Sequence, residues 1–266
     1  MKQITALIVL TLVLCTACNK TPKTENSTIA NAPIVSDLII ADSTDFYTIR
    51  AHYPEVNLDT ANIMKKFVEQ RVAQRKEEWK TGGEIYKTEK EISKEFPNRA
   101  SMKYDMIIDY DTIYSSKYKT ATYVFTIGEY TGGANGSQEV KTFNFDQNKH
   151  NLQIEDILDL TNNNDIAICR LLLHEAEKDN ELFSKDFVEL GLGLLWLKSD
   201  GITLDTKGCN CDASIFRENL QQFVIKDNGI SFKFSKGIIA ISAAGITEIF
   251  LPWDAIDPYL KKNGLI

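Results

Sequence analysis

The sequence predicts an α+β fold: antiparallel sheets with packed helices, in two small subdomains behind a signal peptide and a tether. Three observations carry this. Apolar and polar residues alternate over three successive stretches between residues 102 and 146, with short turns between them, which is the pattern of half-buried strands in a meander. Helical spacing is confined to separate stretches, at 59–80, at 84–96 and from 164 onward. Helices thus segregate from strands instead of alternating with them as βαβ units do.

The elements follow in order. Met1 and Lys2 give a short positive start, residues 4–14 are apolar apart from Thr5 and Thr11, and Cys15-Thr16-Ala17 leads to Cys18 and polar Asn19-Lys20. A charged start, an apolar middle and small residues before a cleavage point make an export signal. The apolar run is shorter than the roughly 20 residues needed to span a bilayer. Thr16-Ala17-Cys18 fits the end of the lipoprotein pattern Leu-(Ala/Ser/Thr)-(Gly/Ala)-Cys, with Cys15 in the leucine position and Leu14 one residue earlier. The alternative is an ordinary secretory peptide with an incidental cysteine. The abrupt polar change after Ala17, and bulky Leu14 in front of Cys15, favour Cys18. Residues 1–17 are therefore expected to be a lipoprotein signal peptide and Cys18 the lipidated residue. The chain would then sit outside the cytoplasm, on the periplasmic side or the cell surface, held to the bilayer by an N-terminal acyl anchor.

Residues 18–43 are expected to be a flexible tether, because 19–33 (NKTPKTENSTIANAP) offer almost nothing to bury. The first subdomain is placed at 44–136 and the second at 137–266. Residues 46–53 (FYTIRAHY) predict a strand ended by Pro54. Asp59 or Thr60 caps a helix running to about Lys80, with Ile63, Phe67, Val68, Val72 and Trp79 on its apolar side; Thr81-Gly82-Gly83 stops it. Residues 84–96 form a shorter amphipathic stretch closed by Pro97. Strands are then expected at 102–110, 118–130 and 139–146, separated by a turn at Ser115-Ser116-Lys117 and a glycine loop at 131–136. A helix capped by Asn164 buries Ile166, Cys169, Leu172, Leu173 and Ala176. Residues 182–197 are apolar but broken by Gly191 and Gly193, with Trp196 expected in a core. Strands return at 222–225 and 230–234, around Lys226-Asp227-Asn228-Gly229, and at 248–252; 254–260 suggests a last helical turn. No solenoid repeat is present.

Charge and composition exclude several functions. The chain carries 30 Lys+Arg and 37 Asp+Glu, a formal net charge of −7, and loss of Lys2 with the leader takes it to −8. Nucleic-acid binding requires basic patches, so no nucleic-acid partner is expected. Beyond the leader the cysteines are Cys169, Cys209 and Cys211, an odd number. Outside the cytoplasm a disulfide of Cys209 or Cys211 with Cys169, or a local bridge, is favoured over a soft-metal site. The three histidines, His52, His150 and His174, form no metal-binding spacing, and no metal or cofactor is expected. There is no Gly-x-Ser-x-Gly elbow, and no carboxylate pair stands out, so no catalytic residue is assigned. The glycine loop is not a phosphate cradle: Ser137-Gln138 and a strand follow it, where a Lys-Ser/Thr and a helix would be needed. Six of the ten tyrosines fall between Tyr104 and Tyr130. They could offer rings to a sugar, but tyrosine also favours strands and half of each strand is buried.

The glycine loop carries a family resemblance. Tyr130-Thr131-Gly132-Gly133-Ala134-Asn135-Gly136 resembles the Tyr-Thr-Gly-Gly-Ala-His-Gly signature of a pair of extracytoplasmic domains. These occur in the RsiV-type lysozyme-sensing anti-sigma factors and as the non-catalytic N-terminal part of PdaC-type peptidoglycan deacetylases. Thr142-Phe143-Asn144-Phe145-Asp146, Ile154-Glu155-Asp156-Ile157-Leu158, Val224 through Phe232, Ala243-Ala244-Gly245 and Ile249-Phe250-Leu251-Pro252-Trp253 are similar to later stretches of that pair. The resemblance covers roughly residues 44–262. Asn135 stands where the family has His, and the tyrosines that precede Ala-Ala-Gly there are absent, residues 238–242 standing in that region. The resemblance implies a PdaC-like domain at 44–136, an RsiV-like domain at 137–266, and binding without chemistry. The expected ligand is a cell-envelope component: peptidoglycan, another glycan, or a lysozyme-like protein. The contact region is expected at Tyr130, Gly132, Gly133, Asn135 and Gly136. The alternative is a peptidoglycan-modifying deacetylase or hydrolase with an unrecognised site.

Overall fold

A computed structural model of the chain describes residues 36–55, 61–97, 103–132, 135–209, 212 and 214–262. The expected signal peptide, Cys18, most of the tether, Gly133 and Cys211 lie outside the described residues. The α+β architecture is as the patterning predicts. The strands are β1 (Ser36–Ser43), β2 (Tyr47–Glu55), β3 (Tyr104–Ser115), β4 (Thr120–Tyr130), β5 (Ser137–Phe145), β6 (Asn151–Leu152), β7 (Phe223–Lys226), β8 (Gly229–Phe234) and β9 (Thr247–Pro252). The helices are α1 (Ala61–Trp79), α2 (Glu84–Glu95), α3 (Asn164–Ala176), α4 (Lys185–Gly191), α5 (Ser214–Glu218) and α6 (Trp253–Ile256).

The strands make two sheets, β1-β2-β3-β4-β5-β6 and β7-β8-β9. The meander β3-β4-β5 is antiparallel throughout. β2 and β3, however, run parallel, with Tyr47 beside Tyr104 and Ala51 beside Ile108. A parallel pair needs a long crossover, and α1 and α2 supply it. Residues 36–43, expected to be part of the tether, instead form β1 at the sheet edge, paired antiparallel with β2.

α1 and α2 lie on one side of the larger sheet. Met64, Val68, Val72 and Trp79 of α1 are buried there against Ile49, Met106, Ile108, Phe125 and Ile127. The buried row is thus 64, 68 and 72, at one turn per step, rather than starting at Ile63, which is 40% exposed. A second core forms on the far side of the smaller sheet. Ile230, Phe232, Phe234, Ile249 and Leu251 pack there on Ile168, Cys169 and Leu172 of α3. Trp196, expected in a core, is only half-buried and belongs to neither core.

The two sheets face each other over a small apolar cluster of Val124, Val140 and Val224, flanked by Ile113 and Ile246. Polar contacts complete this interface. Asp227, in the β7–β8 turn, accepts hydrogen bonds from Ser115 Oγ (2.6 Å), Ser116 Oγ (3.0 Å) and the Lys117 backbone N–H (3.1 Å). Thr122 Oγ1 donates to Asn144 Oδ1 (2.6 Å), and Asn144 Nδ2 donates to the Phe223 carbonyl (3.0 Å). β5 pairs with β6 only through Asn144 and Phe145. Side chains from the smaller sheet's flanks take over from there. Gln222 Oε1 accepts from Thr142 N (2.8 Å) and Ser235 Oγ accepts from Val140 N (3.1 Å). Donors that would otherwise mark a sticky edge are thereby satisfied.

Candidate functional site

Strand alternation puts Asp105 and Ile107 of β3, and Gly128 and Tyr130 of β4, on the sheet face turned away from α1. The register aligns them: Asp105 lies opposite Tyr130, Ile107 opposite Gly128, and Gly128 opposite Gln138 of β5. Beyond β5, the segment after β8 brings Lys236 alongside. Together with Glu129, Gly136 and Ser137 these residues line an open cleft of about 240 Å³.

Each wall has a separate cause. Gly128 has no side chain, so the floor between Ile107 and Gln138 stays low; the nearest neighbour a Cβ would meet is the Ile107 carbonyl, 4.0 Å away. Gly136 is required by close approach: a Cβ there would stand 2.8 Å from the Glu129 carbonyl oxygen. Gly132 is required by its backbone, with φ +84°. Lys236 pins the β5 side twice, its backbone N–H donating to the Gln138 carbonyl (2.9 Å) and its Nζ to the Gly136 carbonyl (2.6 Å).

The nearest acidic side chain of β4 is not available for chemistry. Glu129 borders the cleft, but its carboxylate is turned to α1. Arg75 grips it in a fork, Nε to Oε1 at 2.9 Å and Nη2 to Oε2 at 2.8 Å. Arg71 Nε stands 3.2 Å from Oε1 without hydrogen-bond geometry, while its Nη2 donates to Glu139 Oε2 (2.5 Å). The Glu129 side chain is only 9% exposed, so this bidentate pair acts as a desolvated structural clamp between α1 and the sheet. Asp105 differs: half-buried in the cleft, it has no hydrogen-bond or ion-pair partner among the described residues.

The structure therefore brings together two of the expected contact residues, Tyr130 and Gly136, and adds Asp105, Ile107, Gly128, Gln138 and Lys236. Gly132 and exposed Asn135 lie in the adjoining loop but do not line the cleft. Alternation alone could have put Asp105 beside Tyr130's face; nothing in the sequence announces Lys236. Of the six clustered tyrosines, Tyr104 and Tyr123 are buried and Tyr110, Tyr114, Tyr118 and Tyr130 half-buried, so most of them serve packing.

The remaining candidates resolve as follows. Cys209 is disulfide-bonded, whereas Cys169 is free. Cys169 was expected as a possible bridge partner, but its thiol is sealed in the α3 core with Sγ 3.8 Å from the Phe216 carbonyl. Burial pushes that thiol well above the usual range, aided by Asp165. His52 pairs with Asp109 (3.1 Å) and His150 with Asp146 (3.2 Å); His174 is exposed on α3. Among the described residues, no three His, Cys, Asp or Glu side chains converge so as to hold a metal ion. No described helix is long and apolar enough to cross a membrane.

Comparison with known proteins bears mainly on the fold. No curated protein matches the chain. Two crystal structures share its architecture. A member of the DUF3298 family from Bacteroides fragilis is 20% identical with a TM-score of 0.54, over 86% of this chain and 94% of that one. A DUF3298 family protein from Pseudomonas aeruginosa is 13% identical with a TM-score of 0.54, over 88% of this chain and 96% of that one. At these identities the likeness is one of fold. Residues 196–254, which run through the smaller sheet and include Lys236, match the model of the family described as a protein of unknown function, DUF3298.

Proposed function

We propose that the chain is a lipid-anchored, extracytoplasmic binding module whose cleft at Tyr130 holds a glycan of the cell envelope and performs no chemistry on it. The observation that carries this is the composition of the cleft. An aromatic side chain, a glycine floor, an unpaired carboxylate and an amide side chain meet in one open groove. Sugars are recognised in this way, by apolar contact with a ring and by hydrogen bonds from planar polar groups to hydroxyls.

The same arrangement speaks against turnover. Glycoside hydrolysis uses two carboxylates flanking one bond. Here Asp105 stands alone, because Glu129 is held by its arginines on the opposite face. The leader and Cys18 support the anchor, and the similarity to RsiV- and PdaC-type domains supports an envelope ligand. A second reading, a cationic lysozyme-like protein, is favoured by Asp105, Asp109 and Asp111 sharing one face of β3 in a chain of net negative charge.

The test uses residues 34–266. Titrating chitooligosaccharides and peptidoglycan fragments should give binding that Tyr130→Ala and Asp105→Asn both weaken, with mass spectra showing the ligands unaltered. Binding lost steeply with salt, and seen only with lysozyme, would replace the glycan by the protein partner. Product formation would overturn the binding-module reading. Undiminished affinity in both variants, with the fold intact, would move the site off this cleft.

A further inference from the structure

β1 is the outer strand of the six-stranded sheet, and among the described residues no strand pairs with its free edge. Proteins normally blunt such an edge with lysine, proline, a bulge or great shortness. β1 has none of these protections: it is eight residues long, reads SDLIIADS, and pairs with β2 residue for residue without a break. Its two carboxylates are already engaged within the copy, Asp42 with Lys76 Nζ (2.6 Å) and Asp37 with the Tyr110 hydroxyl. Ile39, in mid-strand, is 65% exposed. Of the two charges only Asp37, near one end and bonded to a neutral hydroxyl, is left uncompensated, and an apolar side chain marks the centre of the edge.

We infer that β1 is an interface for a second copy of this chain, the two β1 strands pairing antiparallel about a two-fold axis and joining both larger sheets into one. The strand's own sequence selects the partner and the register. About an axis normal to the sheet, opposed residues must point to the same face, so their numbers share parity. Centring on Ile39 sets Ile39 against Ile39 of the second copy on the open face, Leu38 against Ile40 on the α1 face, and Asp37 against Ala41. No carboxylate then opposes a carboxylate. Centring on Ile40 would set Leu38 against Asp42, an apolar group against a charge. The chain's own N-terminal segment is a poor substitute for the second copy: residues 19–33 hold two prolines, Pro22 and Pro33, and Ile29 as their one large apolar residue. The inference does not rest on the cleft or its ligand.

The test is made on the full-length chain. In native membranes, Ile39→Cys is expected to give a disulfide-linked dimer under mild oxidation, since opposed Cβ atoms in such a pair stand about 5 Å apart. Arg50→Cys, on the same face but one strand inward and opposite Ala41, is expected to stay monomeric. In detergent, sedimentation should show a dimer for the wild-type chain and a monomer for Ile39→Lys, which sets like charges against each other at the axis; its circular dichroism should be unchanged. A monomeric wild-type chain, equal cross-linking at both cysteines, or an Ile39→Lys dimer would each overturn the interface.

Discussion

Replacing Glu248 with Gln removes one charge and little volume, and its effect can be worked out from the smaller sheet. Glu248 lies directly across from Lys233 in the β8–β9 register. Its Oε2 accepts from Lys233 Nζ (2.5 Å) and its Oε1 from Lys226 Nζ (2.6 Å). Burial alone would raise its carboxyl, but the hydrogen bonds from Lys226 and Lys233 prevail and bring it from an ordinary 4.5 down to about 2. At about 1.4 kcal/mol for each tenfold change in proton affinity, the ceiling is about 3 kcal/mol of stability. The Glu248 side chain is 32% exposed and Lys226 34%, so solvent screening reduces this to roughly 1–2 kcal/mol. For a domain of this size that is a fall in Tm of about 2–8 °C at pH 7. Because the folded-state value is depressed, the contribution is complete above about pH 4.5 and is lost as pH falls toward 2. Thermal melts of both proteins at several pH values from 7 to 3 should therefore show a gap that is constant down to about pH 5 and narrows below it. Lys233, 16% exposed, is left beside a neutral amide in the variant, so adding Lys233→Met should recover part of the loss. No gap at pH 7, or one that persists undiminished at pH 3, would refute the account.

Gly136→Ala should destabilise the domain by about 1–3 kcal/mol, since its Cβ meets backbone that cannot swing aside, and Gly132→Ala by about 1 kcal/mol through its left-handed backbone; urea titrations of each check this. Lys236→Met should weaken ligand binding while lowering Tm little, because it frees the Gly136 carbonyl at the cleft rim; calorimetric titration beside a melt separates the two effects. Cys169 should resist alkylation in the native protein and react on unfolding, so mass spectrometry after iodoacetamide along a urea series should follow the global transition. Cys18→Ser should leave the chain uncleaved after Ala17 or released from membranes, and a variant still cleaved there and still membrane-bound would remove the lipid-anchor assignment.

Much of the fold could be read from local pattern. The meander, the hairpin around Asp227 and the helices beginning near residues 61, 84 and 164 all follow from periodicity and turn chemistry, which act over a few residues. Most of what escaped depends on contacts distant in sequence, and β1 on the strand that follows it. β1 carries only four apolar residues in a row between aspartates and serines, a run that gains strand character from β2 alone. The parallel pairing of β2 with β3 is settled by where α1 and α2 pack, which periodicity does not encode. Part of the cleft was legible, because Tyr130 and the glycine loop stand out in the chain. Asp105 and Gly128 required the register of β3 on β4, and Lys236 required knowledge of how the second sheet lies over the first.

That dependence also explains why the cleft is where it is. One wall, Tyr130, ends the strand that Arg71 and Arg75 fasten to α1 through Glu129. The opposite wall, residues 136–138, is fastened by Lys236 to the segment between β8 and β9. The first fastening belongs to the core under the larger sheet and the second to the core under the smaller one. Both walls stand on the larger sheet, where β4 and β5 are hydrogen-bonded neighbours, and only Lys236 comes from the segment after β8. The Lys236 side of the groove is therefore in place only while the two sheets stay docked, through the valine cluster and the Asp227 and Asn144 contacts. A ligand spanning Tyr130 and Lys236 would add a further link across the same junction. It would bind only the assembled state, and so would stabilise the docking of the two cores as well as occupying the cleft.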